Sequence, residues 1–399
     1  MKKLISQPIN IVIIITVLLV TIVILSGTVL VFLFLNKGEK QIISQSVQTP
    51  RSSVVSPVVI TRTSVNGIPT IPQNELTTMP IKDITPTSLN VITPPPVADI
   101  TPTSLEKSLP TGTIGFGIGV MGDSNSDEYR GDDNRGGPYA ATTFNWVEML
   151  VLNRQLNFGE WGYWGEPRRT GYSYNWARSD ATAQGLLDSG QHTGLAKQVA
   201  NGEVSYVVIF IGGNDFNLEN GTYQDIYDGS LSDARLKNKL DLVVKDITLA
   251  VDTILNSGNV HVIVVNIGDK GLAPDSIRRF PDATGRQRVS TALQEVNGQI
   301  ASMVTERGVV LIDMNAFGQN TLSHIDKNGF LEFGGESFSI LIRGYEPHHL
   351  QLGDAYGHLG TVLSGILANA ILIEPLNKNY GLGITPLTDQ EILHSAGIR

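Results

Sequence analysis

An α/β fold, a three-layer sandwich with helices on both faces of a central parallel sheet of about five strands, is predicted for residues 113–399 by three observations. Apolar, largely β-branched runs recur at VSYVVIFIGG (204–213), VHVIVVNIG (260–268) and GVVLIDM (308–314). Runs with so few polar residues read as strands covered on both faces, as parallel strands are. Helical stretches at about 234–256 and 285–306 separate these runs. Polar clusters follow strand ends, where open parallel sheets bind ligands.

Taken in order, IGFGIGVM (114–121) is the first strand, and FNWVEMLVLNRQL (144–156) reads as an amphipathic helix, with a weaker strand near 156–160. The aromatic stretch FGEWGYWGEPRRTGYSYNW (158–176) is either a wall against substrate or a packed loop over the sheet edge. Beyond the last strand, residues 314–353 contain GFLEFGGESFSILIRGY, whose alternation predicts a hairpin serving as a lid or side wall. A helix is expected over 361–374, and Thr388 and Glu391 stand in capping-box spacing before a short final helix.

The first 112 residues are of another kind. Residues 11–35 carry no charged side chain, long enough an apolar run to span a bilayer with some tilt, and Lys2 and Lys3 precede it. The apolar run is too long for a signal-peptide core, so residues 1–40 are expected to form an uncleaved, single-pass anchor with the N-terminus inside. Residues 41–112 are rich in Ser, Thr, Pro, Val and Ile, and DITPTSL occurs at 83–89 and again at 99–105. Such a segment buries too little apolar area to offset its ordering entropy, so it reads as a disordered linker. As flexible coil it would reach roughly 45–50 Å, which places a domain at 113–399 on the extracytoplasmic side, away from the membrane.

Composition narrows the chemistry. A formal net charge of −9 argues against nucleic acid as a partner. The absence of cysteine excludes disulfides, thiolate metal sites and cysteine nucleophiles. Gly117, Gly119 and Gly122 fit the spacing of a dinucleotide fingerprint, but they lie inside the first strand rather than after it. His348 and His349 have no third ligand at a recognisable spacing and read as a solvated loop. No metal or cofactor is expected.

Three polar clusters remain: Gly122-Asp123-Ser124 after the first strand, Gly213-Asn214-Asp215 after VVIFIG, and GDAYGHLGT (353–361) before the helix at 361–374. Together they suit acyl transfer. A serine hydroxyl needs a base to attack a carbonyl, and histidine is poised near neutral pH. A carboxylate fixes the imidazole tautomer, and a side-chain amide is a good donor to a developing oxyanion.

The segment from about 113 to 374 resembles the SGNH hydrolases, also called GDSL-type esterases and lipases. GDSNS is similar to that family's nucleophile motif and GGNDF to its Gly-x-Asn-Asp motif, while GHLGT falls where its terminal histidine lies. YNWARSDATAQ (174–184) resembles the segment carrying its oxyanion glycine. The resemblance implies a flavodoxin-like sandwich, Ser124 as nucleophile and His358 as base. It implies oxyanion donors from the Ser124 N–H, the segment at Asp180 and Asn214, with Gly122, Asp123, Gly213 and Asp215 supporting the motifs. Two departures stand out. Asp180 occupies the place of the glycine, and Asp354-Ala-Tyr-Gly-His358 is one residue longer than the usual acid–base spacing. His358 is therefore left with two partners to choose from, Asp354 or a backbone carbonyl.

The function expected is a membrane-tethered serine esterase acting on glycan O-acetyl, lipid or small acyl esters through an acyl-enzyme on Ser124. The alternatives are an O-acyltransferase with the same nucleophile and a non-catalytic glycan-binding or adhesion module.

Overall fold

The computed structural model describes residues 115–218, 222–354 and 357–399, with the side chain of residue 275 left out. The expected anchor and linker lie outside the described residues, among which no helix is long and apolar enough to cross a membrane.

The chain forms β1 (Ile118–Gly122), α1 (Trp146–Arg154), a hairpin of β2 (Trp161–Tyr163) and β3 (Thr170–Tyr172), then α2 (Ala183–Asp188) and α3 (Gln191–Ala200). β4 (Tyr206–Phe210) leads through α4 (Thr222–Asp228) and α5 (Asp233–Leu255) to β5 (His261–Val265). After α6 (Pro274–Arg279), α7 (Ala283–Arg307), β6 (Val310–Ile312) and α8 (Met314–Ser323) comes a second hairpin, β7 (Phe330–Phe333) and β8 (Glu336–Ser339). The chain closes with α9 (Thr361–Ala368), α10 (Glu374–Tyr380) and α11 (Asp389–Ser395).

The central sheet is parallel, in the order β1-β4-β5-β6. It has four strands rather than the five expected. Residues near 156–160 contribute a single parallel bridge, Gly117 to Asn157, on the free edge of β1. Asn157 then turns the chain away: its Oδ1 accepts the Gly159 N–H, and Gly159 takes φ +89°. Asn175 bridges Val120 further along that edge, so the fifth position is shared by two short pieces of chain. With Asn157 counted at the edge, the order is that of flavodoxin-like sheets, whose switch point falls between β1 and β4.

Side chains alternate across the sheet and define two cores. Ile118, Val120, Val208 and Ile263 face α1, α9, α10 and α11 on one side. Met121, Val207, Ile209, Val262 and Val264 face α3, α5 and α7 on the other. Both faces being covered is why these strands are nearly free of polar residues. Gly122 is dictated by close approach, since a Cβ there would lie 2.5 Å from the Phe210 carbonyl oxygen.

Local chemistry sets the element ends. α1 begins with a capping box between Asn145 and Glu148, and α11 with the box expected of Thr388 and Glu391. Asp313 ends β6 and caps α8 through the N–H groups of Asn315 and Ala316. The turn between β7 and β8 uses Gly334 and Gly335, both at positive φ, as a two-residue hairpin turn requires. The aromatic stretch resolves into the first hairpin. Its Arg168 lies between the rings of Trp164 and Trp176, and Trp161 packs edge-on against Tyr172.

Candidate active site

Register brings Gly122, Phe210, Val265 and Ile312 into one row at the carboxyl end of the sheet. The site is built on the loops that leave this row.

Ser124 sits in a tight turn directly after β1. The Asp123 carbonyl accepts the N–H groups of Ser126 and Asp127, both at 3.0 Å, and Asp123 Oδ1 accepts the N–H and the side-chain amide of Asn125. Buried side chains hold the turn from outside. Gln191 bonds both backbone groups of Gly122, the Trp146 indole donates to Ser126 Oγ, and Asn175 donates to the Ser126 carbonyl. Ser124 is 7% exposed, so the turn fixes its backbone in a nearly closed environment.

The segment expected to carry an oxyanion donor runs alongside. Arg178 N–H donates to the Gly122 carbonyl, and Ala181 N–H closes a turn onto the Arg178 carbonyl. Asp180, at the apex of that turn, takes the left-handed conformation at φ +66° that the glycine it replaces would favour, and the residue is exposed to solvent. Asp is among the non-glycine residues that tolerate this region. The buried Asp127 carboxylate steadies the turn by accepting from Ser179 N, at 2.8 Å, and from the Arg178 guanidinium, at 3.1 Å.

Asn214 and Asp215 tie the same segment to β4. Asn214 Nδ2 donates to the Ala181 carbonyl at 3.0 Å, and Asp215 Oδ2 accepts the Ala183 N–H at 2.8 Å. Gly212, at φ +104°, allows the sharp exit from β4 that presents both side chains. Gly213 adjoins the Asp123 carboxylate, whose Oδ2 would be in ordinary van der Waals contact with a Cβ there.

Burial pushes the Asp215 carboxyl up to about 6, opposed by the Ala183 hydrogen bond and by Lys239. The folded-state value lies above the ordinary one, so the stability this group contributes is fully present below about pH 4 and is lost as pH rises through 6. Asp215→Asn stays neutral throughout and keeps an acceptor for Ala183. Its unfolding free energy is expected to gain about 2–3 kcal/mol on that of the wild type between pH 4 and 7. Urea unfolding at the two pH values checks this, and a pH-independent difference would contradict it.

The histidine loop answers the question left by its spacing. Asp354 Oδ1 accepts the N–H groups of Gly357 and His358, at 2.7 and 3.2 Å, while Oδ2 lies 2.5 Å from His358 Nδ1. Gly357 at φ +66° takes up the extra residue, and a Cβ there would meet the Arg343 guanidinium. A carboxylate, not a backbone carbonyl, therefore faces Nδ1. Burial raises the Asp354 carboxyl, but the hydrogen bonds and charge of His358 and the two N–H donors outweigh it and hold the group at about 2. Asp354 is thus anionic at any working pH.

Arg135, which sequence reasoning did not single out, joins these parts. Its NH1 lies 3.2 Å from Asp354 Oδ2 and 2.7 Å from His358 Nδ1, while NH2 donates to Asp133 and Ser179. A guanidinium only donates, so Nδ1 cannot give its proton to Asp354 and accept from Arg135 at once. The shorter, charge-assisted contact to Asp354 favours the tautomer with Nδ1–H, which leaves Nε2 as the basic nitrogen.

The loops converge on one cavity of about 280 Å³. Asp123 and Asn125, flanking Ser124, line it with Gly213, directly before Asn214, and Leu359, directly after His358. His348 lies 3.4 Å from Glu336, and among the described residues no three His, Asp or Glu side chains are grouped as metal ligands.

The chain has an α/β fold with a central parallel sheet, and residues 118–335 match the model of the GDSL-like lipases and acylhydrolases. The chain belongs to that family, the serine ester hydrolases that the resemblance in GDSNS and GGNDF led one to expect. The match ends before Asp354 and His358.

Solved structures similar to this chain include the extracellular lipase of Streptomyces rimosus, at 15% identity and a TM-score of 0.39, covering 66% of this chain and 99% of that one. Another is an acetylxylan esterase of Geobacillus stearothermophilus, at 15% identity and a TM-score of 0.35, covering 71% and 95%. A GDSL-like lipase of Bacteroides thetaiotaomicron has 12% identity and a TM-score of 0.34, covering 66% and 88%. No curated protein matches the chain.

Proposed function

We propose that this esterase acts through an acyl-enzyme on Ser124. The observation that carries the reading is the 2.5 Å contact between Asp354 and His358 Nδ1, on a loop whose next residue lines the same cavity as the neighbours of Ser124. His358 Nε2 takes the Ser124 hydroxyl proton as Oγ adds to the ester carbonyl. The negative charge passes to the carbonyl oxygen, where the N–H groups of Ser124 and Asp180 and the Asn214 amide are the donors. The intermediate collapses, the C–O bond to the alcohol breaks, and His358 returns the proton to the departing oxygen. Water then repeats the sequence: it loses a proton to Nε2, attacks the acyl carbon, and frees the acid and Ser124. Asp354 keeps Nδ1 protonated and balances the imidazolium.

The substrate is a carboxylic ester of a glycan, lipid or small alcohol. The uncharged run at 11–35 and the Ser/Thr/Pro-rich stretch at 41–112 support a tethered enzyme working on the extracytoplasmic side. The test is turnover of p-nitrophenyl acetate by the full chain with and without a glycan acceptor. Free acetate as the product in both cases is the expected result; acylated acceptor would convert the reading to a transferase.

A further inference from the structure

The cavity beside Ser124 is deeper than an acetyl group requires. Its walls come from the end of β4 (Phe210), the loop after β5 (Ile267), α8 (Phe317 and Leu322), the segment after β8 (Ile340) and α9 (Leu363). An apolar cavity of ~150 Å³ lined by such side chains stays dry and takes up benzene. The 280 Å³ here thus accommodates roughly ten heavy atoms by the same scale. An acetyl group would leave most of it empty.

A sugar ring is a poorer occupant than an acyl chain, because the walls are mostly apolar and several of the polar lining groups already have partners. Asn266 bonds Asp313 and the Met314 N–H, Asp269 accepts from Ser290 and the Gly271 N–H, and Asn125 donates to Asp123. The Lys270 ammonium is drawn to the Asp123 and Asp215 carboxylates. Thr321 donates to the Phe317 carbonyl, which leaves Asn315 Oδ1 as a buried acceptor and the exposed Gln319 at the rim. Leu272, an apolar lining residue, is 44% exposed at the rim.

We infer that this cavity binds the acyl chain of the ester, and that the preferred substrates are medium-chain acyl esters of about six to ten carbons. The inference rests on the reading of Ser124 as the nucleophile. Each methylene moved from water into the cavity is worth about fourfold in kcat/KM, and ordering the chain returns roughly half of that factor. Octanoyl esters should therefore exceed acetyl esters by on the order of 50-fold.

Gly318 on α8 supplies the decisive variant. It lines the cavity, its φ is not in the left-handed region, and a Cβ built on it meets no atom within 4 Å. Gly318→Leu therefore fills the space without displacing the wall. The experiment measures kcat/KM for p-nitrophenyl acetate, butyrate and octanoate with the wild-type full chain, Gly318→Leu and Ser124→Ala. The expected result is a rising wild-type series and an octanoyl-to-acetyl ratio reduced about tenfold or more in Gly318→Leu. Ser124-dependent acetyl turnover with no gain at octanoate, or an unchanged ratio in Gly318→Leu, overturns the acyl pocket and leaves the nucleophile standing. Turnover that survives Ser124→Ala, or no turnover of any ester, overturns both.

Discussion

Ser124→Ala is expected to lower kcat/KM for p-nitrophenyl acetate by about 10⁵-fold or more while Tm moves by less than about 2 °C. The chemistry sets the size: without Oγ no acyl-enzyme forms, and only binding and the oxyanion donors are left to act on a water attack. The structure sets the small thermal effect. The turn that holds Ser124 is made by the Asp123 carbonyl and carboxylate, by Gln191 and by Trp146, none of which depends on the serine hydroxyl. Circular dichroism melts run beside the kinetics separate lost chemistry from lost fold. Activity within tenfold of wild type in a folded variant would remove Ser124 from the mechanism.

Asp354→Asn should be the next most damaging change, lowering kcat by roughly 10³- to 10⁴-fold with little effect on KM. The neutral amide matches the shape of the carboxylate but presents an N–H to Nδ1, which moves the imidazole proton to Nε2 and abolishes the base. It also leaves the Arg135 guanidinium facing an uncharged group. Because the Asp354 carboxyl lies at about 2, wild-type activity should not fall through protonation of this residue above about pH 4. Arg135→Lys is expected to cost only about tenfold, since the charge stays while the fork reaching Asp354, Asp133 and Ser179 is lost. Steady-state kinetics on the three proteins at pH 7 orders the effects. An Asp354→Asn loss no larger than that of Arg135→Lys would contradict the assigned role.

How much of this was legible before the fold was known depended on the range of the interaction. Strands at 206–210 and 261–265 show in the sequence because burial on both faces demands unbroken apolar runs. The final helix shows because Thr388 and Glu391 are three residues apart. Ser124 and Asn214 stand out because short motifs at strand ends carry them. Arg135 does not: it lies in GDDNRGG among turn residues, and its partner Asp354 is 219 positions away. A full fifth strand does not form near 156–160 because Asn157 and Gly159 turn the chain away from the sheet edge after a single bridge. The Asp354 spacing looked too long because the closing turn depends on a left-handed glycine, which sequence distance does not encode. The cavity is assembled from six separate loops and helices, so no local pattern announces it.

The role proposed for Ser124 is that of nucleophile in an ester hydrolase. A serine-directed fluorophosphonate, incubated with the native full chain and with His358→Ala, followed by proteolysis and mass spectrometry, tests it most directly. A single phosphonyl adduct on the peptide containing GDSNS, formed rapidly in the wild type and far more slowly in His358→Ala, is the predicted result. An adduct on any other serine, or equal labelling of the two proteins, would contradict it.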